Sequence, residues 1–157
     1  MDFRFVEESD IPLLTDLINK AFSVERFFKA GDRLQLDDTR RHFQLGKFLV
    51  AEEDGKLAGC VYVELRGERA YLGLLSVDPD RQKSGLGRRL TSAAEEFARE
   101  MGARWMDLRI VNLRLELPVI YEKLGYKVTG TEPFDLTDVP ITQPCHFVQM
   151  SKELGHR

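Results

Sequence analysis

The sequence predicts one α+β domain, a twisted and mostly antiparallel sheet flanked by about four helices. Three observations point there. Strand-length segments follow one another between residues 47 and 77, joined by turns too short to hold a helix. Beyond them a helical period, a strand and a second helical period alternate before two final strands. The 157 residues, with 43% hydrophobic side chains, have the size and apolar content of a single core, and no linker, repeat or low-complexity block divides them.

Each element has a local reason. Phe3 and Phe5 lie in a short first strand. Ser9-Asp10-Ile11-Pro12 opens a helix, with Ser9 as its cap and Pro12 in the first turn, where a missing N–H is harmless. Ile11, Leu14, Leu17, Ile18, Ala21 and Phe22 recur at helical spacing and give that helix one apolar face. Periodicity lapses over residues 23–36, after which Asp37-Asp38 caps a short helix. Residues 47–53 form a strand that ends at Asp54-Gly55, a two-residue hairpin signal. Its partner runs over residues 56–65, and Gly67-Glu68 turns the chain into a third strand, 69–77, stopped by Asp78-Pro79. Gly73 inside that strand marks a bulge or a close backbone approach.

After Gly85, the residues Leu86, Leu90, Ala93, Ala94, Phe97 and Met101 line one face of a helix that stops at Gly102. Met106, Leu108 and Ile110 alternate with Asp107 and Arg109 in a strand over 104–111. Leu117, Ile120, Tyr121 and Leu124 make a short helix with Pro118 in its first turn and Gly125 as its stop. Strands over 126–129 and 146–151 follow, joined by a loop that contains Pro133, Pro140 and Pro144.

Composition narrows the function classes. The 26 acidic and 23 basic residues leave a net charge of −3, so there is no global basic field, and neither nucleic acid nor a membrane is expected as a partner. Cys60 and Cys145 are too few for a disulfide scaffold and form no Cys-x-x-Cys pair. The N-terminal residues lack the apolar run of a secretory signal, and no stretch nears the roughly 18 apolar residues of a membrane span. A soluble protein of the reducing cytoplasm is expected, a monomer or homodimer without a metal centre.

The chemistry is concentrated between Leu74 and Leu90. There a strand ends, a glycine-containing turn follows, and an amphipathic helix begins. The first N–H groups of a helix have no intrahelical partner and point outward together, so with the helix dipole they form an anion site. Gly85 and Gly87 let an anion reach the backbone, and Lys83, Arg88 and Arg89 add positive charge nearby. A phosphate or pyrophosphate is the expected ligand. Neither Gly-x-x-x-x-Gly-Lys-Ser/Thr nor Gly-x-Gly-x-x-Gly after a first strand is present, which removes the commonest nucleotide loops.

Gln82-x-x-Gly85-x-Gly87, placed after Val77-Asp78-Pro79, resembles the Gln/Arg-x-x-Gly-x-Gly/Ala signature of the GCN5-related N-acetyltransferase (GNAT) superfamily. Tyr121-Glu122-Lys123-Leu124-Gly125-Tyr126 resembles that family's second signature, and the element order agrees over nearly the whole chain, so residues 1–157 are read as one such domain. The resemblance implies acetyl-CoA as cosubstrate, with its pyrophosphate on Gln82, Lys83, Ser84, Gly85, Leu86 and Gly87 and with Arg88 close to a phosphate oxygen. It implies pantetheine along Leu75, Ser76 and Val77, in a cleft where that strand and the one ending at Val111 splay. Asn112 is a candidate side-chain contact to the cofactor. A backbone N–H near Leu75 or Val77 would steady the oxyanion.

Tyr121 is then the candidate general acid for the departing thiolate, although its helical spacing also suits a packing role. The position where many members of the family carry a base holds Tyr71 here, so Glu64, Glu68, His146 or a water chain are the alternatives. Cys145 and His146 are consecutive on a strand and face opposite ways, so they form no dyad, and His42 and His156 are expected at the surface. Phe27, Phe28, Asp32 and Arg33 break the helical pattern without a core role. Together with His146 and the 131–144 loop, Phe27, Phe28 and Arg33 are the expected wall for a small-molecule or peptide amine acceptor. The mildly acidic chain slightly favours a cationic one. A non-catalytic acyl-CoA sensor on the same fold is the alternative function.

Overall fold

The structure, a computed structural model, describes residues 1–29, 31–82, 84–134 and 141–155. Seven strands form one sheet: β1 (Asp2–Phe5), β2 (Lys47–Glu53), β3 (Lys56–Arg66), β4 (Arg69–Val77), β5 (Trp105–Val111), β6 (Lys127–Pro133) and β7 (His146–Glu153). Their spatial order is β1-β2-β3-β4-β5-β7-β6, and every neighbouring pair is antiparallel except β4 and β5. The four α-helices are α1 (Ile11–Phe22), α2 (Leu36–Leu45), α3 (Leu86–Glu100) and α4 (Glu116–Lys123). This is the expected α+β architecture. No helix among the described residues is long and apolar enough to cross a membrane, and no cluster of three metal-ligating side chains occurs among them.

Alternation along the strands decides which helix covers which face. On β3, Val61 and Val63 point to α3, whose Leu86, Leu90, Ala94 and Ala98 are buried against them. Cys60 and Tyr62 point the other way, into a second core with Leu14, Leu17 and Ile18 of α1. Gly59 sets how closely α3 approaches. A Cβ there would lie 2.9 Å from both Leu90 Cδ1 and the Ser76 carbonyl oxygen.

Helix starts differ from the expected caps. A turn of 3-10 helix over Glu8–Asp10 precedes α1, and the Asp10 carboxylate accepts the Glu7 N–H at 2.8 Å, closing a capping box that displaces Ser9. Likewise Asp38 accepts the Gln35 N–H at 2.9 Å, so Gln35, and not Asp37-Asp38, caps α2. In both places an acid three residues into the helix reaches back further than its own position suggests. Strands β6 and β7 outrun their expected ends because partners remain available: β6 runs on to Pro133 opposite His146 of β7, and β7 runs on to Glu153 opposite Trp105 of β5. Pro140 and His156 lie outside the described residues.

Gly59→Ala should destabilise the fold by about 1–3 kcal/mol, the usual cost of overpacking a filled core, because the Ser76 carbonyl beside it is backbone with little room to yield. Urea unfolding measures this. An unchanged midpoint would mean that α3 shifts freely over the sheet.

Candidate active site

The sheet splits in its middle. β4 and β5 pair only through Arg69↔Trp105, Ala70↔Met106 and Tyr71↔Asp107. Beyond these, β5 stays with β7 as far as Val111↔Phe147, while β4 stays with β3. A bulge helps to separate them. Tyr62 pairs with Gly73 and Cys60 with Ser76, so one more residue lies between the pairs on β4 than on β3. Leu74, inside the bulge, has φ 51°, which costs a non-glycine residue about 1 kcal/mol. Its carbonyl accepts the Ser76 hydroxyl at 2.9 Å and the Cys60 thiol at 3.6 Å, which fixes the turned backbone. Gly73 is needed beside it, since a Cβ there would stand 2.8 Å from the Tyr71 ring.

Two cavities meet at the split. The inner one, about 160 Å³, lies between β4 and β5 and is lined by Leu75, Ile110, Tyr121 and Phe147 among others. The outer one, about 760 Å³, opens on the α1–α2 face and is lined by His42, Tyr62, Glu64 and Gln149 among others. Arg33, Tyr71, Leu74, Leu108 and Arg109 border both.

At the end of β4 the chain turns through 3-10 helix over Pro79–Arg81, held by Asp78, which accepts the Asp80 N–H at 3.0 Å, and by Arg81 against Glu53 at 2.9 Å. The Ser84 hydroxyl donates to the Arg81 carbonyl at 2.6 Å. Gly85 then takes φ 80°, and the N–H of Arg89 bonds its carbonyl. No side chain caps α3, so the N–H groups of Leu86, Gly87 and Arg88 have no helical partner. A Cβ on Gly87 would meet only Val77, at 3.7 Å, so the space above these amides is open. Gln82, Ser84 and Arg88 are exposed around it. Arg89 instead lies over the Phe3 ring at 5.0 Å, and Lys83 lies outside the described residues.

Tyr121 is buried, packs edge-on against Tyr126 and lines the inner cavity. Burial pushes its phenol up to about 12, with Arg114 opposing weakly, so it keeps its proton across the physiological range. Buried Cys60, in the core on the other face of the sheet, is likewise pushed up to about 12 by burial.

The proposed bases and acceptor contacts are distributed less simply. Glu64 borders the outer cavity, but its two oxygens accept from the Tyr62 hydroxyl at 2.7 Å and from Arg66 at 2.6 Å. Its half-burial works to raise the carboxyl, yet those two hydrogen bonds prevail and hold it below the usual range. Glu68 and His146 are exposed and line neither cavity. Asn112 uses its carbonyl oxygen to accept the His146 N–H at 2.8 Å, tying β5 to β7 at the mouth of the split. Phe27 is exposed and Phe28 wholly buried, and neither lines a cavity. Arg33 lines both. The backbone of this segment is nevertheless joined to residues 142–143, since the Phe27 carbonyl accepts Gln143 at 2.9 Å and the Phe28 carbonyl accepts the Thr142 N–H at 2.6 Å.

Two features went unread in the sequence. His42 is not a plain surface residue. It packs edge-on to Tyr62, its centroid 4.8 Å away, and borders the outer cavity. Its Nδ1 lies 2.8 Å from the Asp38 carbonyl, which can only accept, so Nδ1 carries the hydrogen and Nε2 is the acceptor of the neutral ring. Burial holds the imidazole below its ordinary range, helped by Arg33 and Arg41 and opposed by Asp38 and Glu64. The second feature is Glu25, buried and bonded to Lys29 at 2.8 Å and Arg114 at 2.9 Å. His42 follows Asp38 by one helical turn, a weak signal. Lys29 follows Glu25 by four residues, an equally weak signal, and the other partner, Arg114, is remote in sequence.

A model described as an acetyltransferase (GNAT) domain matches residues 44–128. The chain is 33% identical over 133 residues to N-acetyltransferase 8B from Homo sapiens, covering 79% of this chain and 58% of that protein. It is 35% identical over 83 residues to mycothiol acetyltransferase from Propionibacterium freudenreichii, covering 53% of this chain and 23% of that protein. It thus spans less than two thirds of the length of either relative. The Salmonella typhimurium protein yncA, solved with its cofactor acetyl-CoA, superposes with a TM-score of 0.76 at 23% identity, over 100% of this chain and 95% of that one. Both Gln82-x-x-Gly85-x-Gly87 and Leu124-Gly125-Tyr126 fall inside the matched span, and the chain belongs to the GNAT acetyltransferase family.

Proposed function

We propose that this chain, read as one domain over residues 1–157, is an acetyl-CoA-dependent N-acetyltransferase that passes the acetyl group directly to an amine. The observation that carries this reading is the juxtaposition at one opening of the sheet. The edges of β4 and β5 part there, the Tyr121 phenol lines the cavity between them, and the uncapped amides at the start of α3 stand beside Val77 at the end of β4. Acetyl-CoA supplies the activated thioester.

The chain's own groups do the rest. The amides of Leu86, Gly87 and Arg88, with the neighbouring Gln82, Lys83, Ser84 and Gly85, receive the pyrophosphate, and the Arg88 guanidinium adds charge. Leu75, Ser76 and Val77 offer the β4 edge to the pantetheine arm, and a backbone N–H at the bulge faces the thioester oxygen. Orientation supplies most of the rate, because both reactants are held in a narrow split. The attacking amine passes its proton through water to His42 Nε2 in the outer cavity, since Glu64 is already occupied by Tyr62 and Arg66. Tyr121 gives its proton to the departing thiolate. The two free thiols, Cys60 and Cys145, suit a reducing cytoplasmic setting.

Three outcomes test the reading. In calorimetry CoA should bind the protein more tightly than pantetheine does, and Gly87→Glu should abolish CoA binding, because a carboxylate would stand over the α3 amides. Equal affinity for CoA and pantetheine would remove the pyrophosphate site.

Tyr121→Phe should lower kcat by about 10²-fold, the usual reach of general acid catalysis, without lowering thermal stability, since the hydroxyl bonds no described residue. Near-normal turnover by the Phe variant would return Tyr121 to a packing role.

The pH profile of kcat should hold level from neutrality down past the ordinary histidine value of 6.5 and fall only as His42, with its depressed pKa, takes a proton. His42→Gln should lose that acid limb along with much of the rate. A limb that survives the substitution would belong to another group.

A further inference from the structure

The arginines that border the two cavities are paired with carboxylates, with one exception. Arg41 meets Asp38 at 2.6 Å, Arg66 meets Glu64 at 2.6 Å and Arg69 meets Asp107 at 2.6 Å. Arg109 lies 3.6 Å from Glu132, and Arg114 lies 2.9 Å from Glu25. Arg33 borders both cavities, yet no carboxylate among the described residues lies within ion-pairing distance of it, and the ring of Phe22 is 5.7 Å away. Burial draws this guanidinium below its ordinary range, and Arg109 adds to the effect, while Tyr71, Glu25 and Asp38 do not offset it. A charge so placed is costly unless something pairs with it.

The position is also held in advance. Asn19 on α1 accepts the Leu34 N–H and donates to the Leu34 carbonyl, both at 2.8 Å, which clamps the backbone immediately after Arg33. A side chain that leaves from fixed backbone loses less freedom on meeting a ligand, and the guanidinium fork matches a carboxylate in two parallel hydrogen bonds. Local charge agrees. Lys29, Arg33, Arg109 and Arg114 line the inner cavity, and Glu25 is the carboxylate among its described lining residues. The site is thus positive although the whole chain is acidic, which reverses the expectation of a cationic acceptor.

We propose that Arg33 anchors a carboxylate of the acceptor, which is therefore an amine of the amino-acid class with a free carboxylate a few atoms from its nucleophilic nitrogen. This rests on the transferase reading of the same opening. With the carboxylate at the junction of the cavities, the amine points into the split towards Tyr121 and the remainder of the acceptor occupies the outer cavity. The positive surroundings also favour the uncharged, nucleophilic form of the amine and repel a polyamine.

Thiol release from acetyl-CoA, measured with a panel of amino acids, their carboxamides and linear polyamines, tests this. Free amino acids should be the better substrates, with carboxamides raised in KM by about 10- to 100-fold, the worth of a lost charge-assisted hydrogen bond. Arg33→Ala should raise the amino-acid KM until the acid and the amide are alike, and Arg33→Lys should restore part of the difference. Thermal stability of Arg33→Ala should not fall, because no ion pair with a described residue is broken. Turnover of carboxamides or polyamines at least equal to that of the acids would overturn the inference and leave the transferase reading standing. So would an acid-over-amide preference that survives Arg33→Ala. Absence of both CoA binding and turnover on every amine would instead overturn the transferase reading, and this inference with it.

Discussion

The site depends on one constraint: β4 cannot pair with β3 and β5 along its whole length. Three parallel pairs hold β4 to β5 at their start. The extra residue at Leu74 then aligns β4 with β3 in a new register, and β5 follows β7. Two strands with different partners diverge, and the gap is bordered by unpaired backbone. The left-handed Leu74 is the local strain that accompanies this, held by Ser76 and Cys60 on its carbonyl. The same bulge explains why Gly73 precedes it. Here the Tyr71 ring covers the position a Cβ would take.

Burial then sets the chemistry of the groups around the gap. Tyr121 is pushed up to about 12 by loss of water, so its phenol keeps its proton at neutral pH. His42 moves in the opposite direction for the same reason, because burial penalises the charged imidazolium. A neutral imidazole and a protonated phenol therefore coexist at neutral pH near one opening. Neither state requires a metal or a neighbouring nucleophile.

Charge pairing adds a second layer. Buried Glu25 binds Lys29 and Arg114 at once, joining the segment after α1 to the start of α4 and enclosing the inner cavity from both sides. Burial still holds the Lys29 ammonium below its ordinary range despite Glu25. Such a network gives little net stability, but its loss would leave buried charges without partners. It fixes the walls of the cavity, and Arg33 stands within those walls with no carboxylate partner among the described residues.

By itself the sequence determined whatever depends on local periodicity and backbone freedom. Apolar spacing located α1, α3 and α4, the Asp54-Gly55 turn located the β2–β3 hairpin, and Gly85 with Gly87 located the uncapped start of α3. The two signatures then identified the family, because they sit in fixed order on that framework. Helix caps were misplaced by a few residues, since a capping box is settled by which acid reaches back across the first turn. Tertiary structure decided which remote polar groups meet. Asn112 is taken by the backbone of β7 and His42 is folded inward against Tyr62, whereas Tyr62, Glu64 and Arg66 meet along one face of β3. Arg69 and Arg114 find their carboxylates on other elements, and Arg33 has none among the described residues. Periodicity says which face of an element is buried, but not which remote charge lies opposite, and for this protein the character of the site depends on that second question.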